Sequence, residues 1–447
     1  VQRILTSLDG GSAASALVRA LASEEPAEDL SRRQPIHVVY GGAHLFAADT
    51  TKKLGRLAQK ALADHCSGPD ELGAVFGISK DLQQAVYEKT VEKLDREPVE
   101  DLRIDFEDGY GYRSNDEEDA HAAAAAREMA AGMSADSLPP FVGIRIKSLA
   151  RESHARAIRT LDIFLTTLIS QGTGEIPKNF VVTLAKVVSP DQVSGLAAIV
   201  SEMEAALGLN SGVVKIELMV ETPRSLVAPS GQFALPSLVA AADGRCVAAH
   251  FGAYDYTAAL GITSEYQDML SPACDLARSV MQVSLSGTGV RLSDGATNVM
   301  PVPTHRGGDL TPEQIRENRD TIRRAWRLHY DHCRHSLANG LYQGWDLHPA
   351  QLVSRYAAVY AFFLEGLEPA GERLRNFITK AARATLVGDI FDDAATGQGL
   401  LNYFVRALNC GAITEAVAVQ HSGLSVHEVR SASFKRILDG RRGQHLA

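Results

Sequence analysis

The stretches VVKIELMVETP (Val213–Pro223) and CVAAHFGAYDY (Cys246–Tyr256) are apolar strands that each run out into a carboxylate, Glu221 and Asp255. A hard divalent cation takes oxygen ligands from separate rigid elements, and the C-terminal ends of neighbouring parallel strands bring such ligands together. Working outward, β-rich segments of the same kind begin at Ile36 (IHVVYGG), Asp101 (DLRIDFEDG), Phe141 (FVGIRIKSL) and Asn179 (NFVVTLAKV). Two weaker ones begin at Gly289 (GVRLSDG) and Gly340 (GLYQGWDLHP). From the second to the sixth the spacing is about 35 residues, the length of one strand–helix–return unit. Runs buried on both faces and alternating with amphipathic helices mean an α/β fold with a parallel sheet. Eight such units predict a closed (β/α)8 barrel; an open, doubly wound sheet gives the same local pattern.

Helix starts support this layout. Ser189-Pro-Asp-Gln192 and Thr311-Pro-Glu-Gln314 both fit a capping box with proline at the first helical position. The segments 50–100 and 296–339 exceed what a connection needs and predict extra helix. Beyond Gln351 apolar residues recur at helical spacing with no strand between them, in RYAAVYAFFLEGL, ERLRNFITKAARATL and GLLNYFVRALNCG. The expected division is a lead-in over 1–35, a catalytic barrel over 36–351 and a helical extension over 352–447.

Composition narrows the function. With 45% hydrophobic and 22% charged residues in a chain of 447, a sizeable core can be buried. A net charge of −9, without a basic block, argues against a nucleic-acid surface. Five scattered cysteines without a CxxC pair read as free thiols in a reducing compartment. The absence of a signal-like start and of a long apolar run predicts a cytoplasmic protein. No GxSxG, P-loop or GxGxxG element is present.

In order along the chain, the strand ends present Asp105, Glu107 and Asp108, then Arg145, Lys186, Glu221 and Asp255. Acidic groups alternating with basic ones around one mouth suit a metal-bound anionic substrate. Arg145 has a planar fork of donors that matches a carboxylate or an enolate oxygen. Glu221 and Asp255 would give two oxygens to Mg2+, with Mn2+ as the alternative, leaving the other positions to water and substrate.

These residues lie in seven ordered motifs that resemble the HpcH/HpaI aldolase/citrate lyase family, the citrate lyase beta subunit and malyl-CoA or citramalyl-CoA lyases included. They are RIDFEDGYG (Arg103–Gly111), GIRIKS (Gly143–Ser148), LAKVVSPDQV (Leu184–Val193), LMVETPRSL (Leu218–Leu226), HFGAYDYTAALGI (His250–Ile262), GVRLSDG (Gly289–Gly295) and GWDLHPAQL (Gly344–Leu352). The resemblance implies a TIM barrel of the phosphoenolpyruvate/pyruvate type. It implies an Mg2+-dependent lyase or aldolase that makes or breaks a carbon–carbon bond next to a 2-oxo acid or a CoA thioester. It casts Glu221 and Asp255 as metal ligands, Arg145 as substrate clamp, and Asp105, Glu107 and Asp108 as the outer shell holding metal waters. The Gly252–Ala253 backbone would lie against the substrate carboxylate. Asp392, or else Asp389 or Asp393, would act as general acid/base from the neighbouring subunit of a homo-oligomer, with His44 as the alternative.

The chain departs from the family in its length, in Tyr254 where the family often carries Glu, and in a first strand that matches only loosely. Rival readings are a malate-synthase-like condensation or an acyl-CoA thioesterase on the same metal site, and a non-catalytic metabolite-binding barrel. Lys186 reads either as a substrate contact or as a counter-ion filling the barrel. Structural roles compete elsewhere: Glu221 could pair with Arg224, and Asp255 could cap the helix after it. Asp346 and His348 read as loop structuring and Asp294 as a turn residue. The HYDHCRH stretch (His329–His335) reads as a solvated helix face rather than a zinc site, because three-residue spacing drifts across a helix.

Overall fold

The computed structural model describes residues 32–379, 385–387, 390–392 and 394–444. Most of the expected lead-in, residues 1–31, lies outside them. Eight parallel strands close into a barrel in chain order: β1 (His37–Gly42), β2 (Asp101–Asp105), β3 (Phe141–Ile146), β4 (Phe180–Leu184), β5 (Lys215–Val220), β6 (Cys246–Phe251), β7 (Arg291–Ala296) and β8 (Gln343–Asp346). The ring closes where His37, Val38 and Val39 of β1 pair with Gly344, Trp345 and Asp346 of β8. The closed barrel, not the open sheet, is therefore the fold.

Side-chain alternation explains both the wall and the interior. Outward positions such as Leu102, Ile104, Ile144 and Leu218 are apolar and pack against the surrounding helices. The inward positions are often charged. Arg103 and Glu217 are each 1% exposed and meet across the barrel, at 2.9 Å from Nη2 to Oε2. Thr183 donates to Glu217 at 2.7 Å, and Gln343 reaches Asp101 at 3.4 Å. Such pairing is what makes buried charge tolerable.

The expected capping box forms at Thr311, whose Oγ1 accepts from Gln314 N–H while Thr311 N–H donates to Gln314 Oε1. At Ser189 the backbone N–H reaches Gln192 Oε1 at 3.4 Å. The two long connections carry extra helix, Thr50–His65, Pro69–Phe76 and Lys80–Arg96 in one and Pro312–Ala338 in the other.

Helix Gln351–Glu365 lies on the barrel wall, and its Tyr356 and Phe363 share one apolar cluster with Val39, Trp326, Leu374 and Phe404. The C-terminal helices are thus packed on the barrel. Helix Ala394–Asn409 docks at the N-terminal rim, where Arg406 donates to Gln34 and stacks on Tyr342 at 4.7 Å. The extension is not purely helical: Thr385–Val387 and Ile390–Asp392 pair as a short antiparallel hairpin. Asp392 lies in that hairpin with its side chain outside the described residues, as are Asp389 and Asp393 altogether.

Three sequence expectations change. His329 and His332 do not form a solvated face; they are 1% and 4% exposed, because helix Gln351–Glu365 covers helix Pro312–Ala338. His329 reaches Asp346 at 3.0 Å and Ser354 at 2.8 Å. Asp346 is no loop residue but the buried end of β8, clamped by Arg355 and His37. Asp294 is not in a turn either: it is buried in β7, accepting from Arg278 at 2.9 Å and Ser336 at 2.6 Å. Strand phase accounts for both, since 294 and 346 are outward positions met by donors from the surrounding helices and, at Asp346, also by His37 of β1. The five cysteines are unpaired. Among the described residues no helix is long and apolar enough to cross a membrane.

Candidate functional site

At the C-terminal mouth, β2 ends in Asp105, and the loop beyond it curls back because Asp105 accepts the N–H groups of Glu107 and Gly109 at 2.9 and 2.7 Å. The same carboxylate takes a two-pronged contact from Arg145, Nε at 2.7 Å and Nη2 at 2.5 Å. Asp105 is therefore spent on orienting the guanidinium. Arg145 is 1% exposed, and its Nη1 has no hydrogen-bond partner; Glu107 stands 3.5 Å away from it and Asp108 4.0 Å. A buried donor left without a partner is costly, so this one is poised for a ligand.

Glu221 follows β5 and is also 1% exposed. Its Oε1 accepts the Lys186 N–H at 2.6 Å, an alignment that Lys186 reaches by adopting φ +51°. A Cβ on Gly252 would stand 2.5 Å from Glu221 Cβ and 2.8 Å from Oε2, so glycine is what lets the carboxylate lie against the start of the next helix. Asp255 sits in the first turn of that helix, Ala253–Ala259, whose N-cap is Gly252 and not Asp255. It is half exposed, with Lys186 Nζ 3.9 Å away. Lys186 Nζ also bridges Glu107 at 2.5 Å and Asp108 at 3.0 Å, spanning the mouth as a tethered cation.

Electrostatics distinguish these carboxyls. Burial pushes Glu221 up to about 7; Asp255 pushes the same way and Arg145 opposes. Burial also raises Glu107. Against the pull of burial, hydrogen bonds from Glu107 and Lys186 hold Asp108 below the ordinary carboxylate range. With all ionised, Asp105, Glu107, Asp108, Glu221 and Asp255 outnumber Arg145 and Lys186 by three charges. A surplus of hard oxygen donors around a buried carboxylate fits a small divalent cation. Among the described residues no three His, Cys, Asp or Glu side chains converge as a metal cage. A cation held here would have two carboxylates at most from Glu221 and Asp255, with water and substrate left to complete its shell, as is usual for Mg2+.

His44 lies in the turn Ala43–Leu45 after β1, with its ring 5.7 Å from Tyr110 and 6.0 Å from His121. Burial, aided by Arg113 and His121, lowers its pKa, so the imidazole is neutral at pH 7. Sequence reasoning missed the residues beneath Arg145. Tyr40, His250 and Trp345 point into the barrel, with Arg145 4.9 Å over the Tyr40 ring and 5.6 Å from the Trp345 ring. Strand phase was the signal available: Tyr40 lies two positions before Gly42, and His250 two before Gly252.

The chain is similar to several solved structures, and with the first of them it shares the fold. A citrate lyase from Burkholderia xenovorans LB400 is 18% identical, with a TM-score of 0.56 over 87% of this chain and 96% of that one. The protein CitE from Mycobacterium tuberculosis, solved in complex with magnesium, acetoacetate and coenzyme A, is 16% identical, with a TM-score of 0.49 over 84% and 99%. A malate synthase from Haloferax volcanii is 13% identical, with a TM-score of 0.42 over 83% and 90%. Citrate lyase beta-like proteins are thus its structural neighbours, as the seven motifs imply. No curated protein matches the chain in sequence. A family described as a domain of unknown function, DUF6986, matches residues 16–437, and the chain belongs to that family.

Proposed function

We propose that this protein is a divalent-metal-dependent carbon–carbon lyase or aldolase acting on a small 2-hydroxy or 2-oxo acid, or on its CoA thioester. The observation that carries the reading is the pairing at one mouth of a buried, cation-seeking Glu221 with an Arg145 whose Nη1 lacks a partner. Glu221 and Asp255 would hold Mg2+, which when bound supplies charge stabilisation at the oxygens of the substrate. Arg145, fixed by Asp105, would donate to the oxygen on which charge develops, without reorganising during the reaction. The Gly252–Ala253 backbone would lie against the substrate carboxylate.

Cleavage requires a base. Removing the hydroxyl proton lets the oxygen form a carbonyl as the neighbouring C–C bond breaks, and its electron pair leaves as an enolate that then takes up a proton. His44, neutral and at the mouth, is the base that a single chain can supply. Asp392 is the other candidate. The resemblance implies that Asp392 would act at the mouth of a second copy of the chain.

The test is to incubate the protein and Mg2+ with malyl-CoA, with citramalyl-CoA, or with pyruvate plus an aldehyde. A 2-oxo acid should appear or be consumed, and Glu221→Ala and Asp255→Ala should abolish turnover. Free CoA released without any 2-oxo acid would replace the lyase with a thioesterase.

A further inference from the structure

The barrel interior holds two polar layers with different fates. In the lower one Arg103, Thr183, Glu217, Asp101 and Gln343 satisfy one another. In the upper one, just beneath the mouth, three buried polar atoms have no hydrogen-bond partner: Arg145 Nη1, His250 Nε2 and Trp345 Nε1. His250 is 0% exposed and Arg145 1%, so these atoms are withheld from bulk water. Their side chains cluster: the His250 ring lies 5.2 Å from that of Trp345 and 5.5 Å from that of Tyr40, and Tyr40 and Trp345 are 4.5 Å apart. Tyr40 and Trp345 face inward and yet are only partly buried, so the layer is open towards the mouth.

One tautomer of His250 gives this layer a uniform character. Tyr40 Oη is 2.9 Å from His250 Nδ1 but 3.4 Å from Glu217 Oε1. With Tyr40 donating across the shorter contact, Nδ1 is the acceptor and the imidazole proton resides on Nε2. All three unpartnered groups are then donors: a guanidinium N–H, an indole N–H and an imidazole N–H. Donors alone, above a sealed charged layer and beside an aromatic wall, match an oxygen anion on a short chain.

We infer that Tyr40, His250 and Trp345, beneath Arg145, form a specificity pocket holding the carboxylate of the substrate that does not touch the metal, so that the enzyme takes short dicarboxylic acids. This inference rests on the lyase reading of the same mouth. Its depth is set by the Arg103–Glu217 layer, which closes the barrel below it and leaves no path for a long acyl tail.

Mg2+-loaded protein titrated with oxalate and with malate tests it. Oxalate satisfies the metal with both ends, whereas malate carries a further carboxylate. In a Trp326→Phe background Trp345 is the remaining tryptophan, and its fluorescence should change with malate and stay flat with oxalate. Trp345→Phe and His250→Gln should each weaken malate about tenfold or more, the effect of losing a hydrogen bond to a charged group, while oxalate affinity stays within about twofold. Equal losses for both ligands, or unchanged malate affinity, would overturn the pocket while leaving the metal site intact. If neither acid binds in the presence of Mg2+, the lyase reading falls and the pocket falls with it.

Discussion

A cation and a proton should compete for Glu221. Burial places its pKa near 7, against about 4.3 for a free glutamate, so in the metal-free protein the carboxyl is half protonated at neutral pH. Metal binding requires the ionised form. The apparent dissociation constant then scales as the reciprocal of the ionised fraction, and it should weaken roughly tenfold between pH 8 and pH 6, nearly one decade for the one competing proton. Calorimetric titration with Mg2+ at pH 6, 7 and 8, in buffers of different ionisation heat, reads both the affinity and the protons released. Close to one proton should leave per cation at pH 6 and very few at pH 8. Glu221→Gln should lower affinity and abolish the proton release together. An affinity flat from pH 6 to 8, or proton release that survives in Glu221→Gln, would refute the reasoning and move the cation elsewhere.

Other consequences are as direct. Burial lowers the pKa of His250 to about 4, so the fold binds this imidazole neutral. The associated stability is whole above pH 6.5 and is lost as the pH falls towards 4, amounting to roughly 3 kcal/mol. Urea unfolding of wild type and His250→Gln across that range measures it, and an imidazole signal titrating near 6.5 would contradict it. Gly252→Ala should push the Glu221 side chain off its seat, cost about 1–3 kcal/mol in unfolding free energy and weaken Mg2+ binding in calorimetry. Arg103→Met leaves Glu217 and Asp101 buried without their cation, and chemical denaturation should show a loss of about 3–5 kcal/mol. His44→Asn should reduce kcat by about 10²-fold or more, with KM little changed, if His44 is the base. If Asp392 serves from a second copy, mixing inactive Glu221→Gln and Asp392→Asn subunits should restore activity that neither has alone.

The eight strands were legible because their outward residues are apolar and their spacing is regular. Closure was not local information; it is visible in the β1–β8 pairing of His37 with Gly344. The candidate metal pair and Arg145 were legible because they sit at strand ends, where position along the chain already implies position in space. The interior layers were harder to read. DLRID and KIELMV alternate polar with apolar residues, yet the partners that make Arg103 and Glu217 tolerable inside lie 114 residues apart. His329 and Asp346 were hidden for another reason: their contact depends on how helix Pro312–Ala338 lies against the end of β8. His250 and Trp345 fall inside two of the motifs, but nothing in the motifs pairs them with each other or with Tyr40; only the barrel brings the three rings together.

Lys186 joins two tasks through one residue. Its amide anchors Glu221 while its ammonium reaches across to Glu107 and Asp108. Because the left-handed backbone fixes the first contact and four rotatable side-chain bonds govern the second, the ammonium can swing clear without disturbing the anchor. Anchor and ammonium are thus mechanically separate, and moving the ammonium need not cost the carboxylate its alignment. A glycine there would keep the anchor and remove the cation.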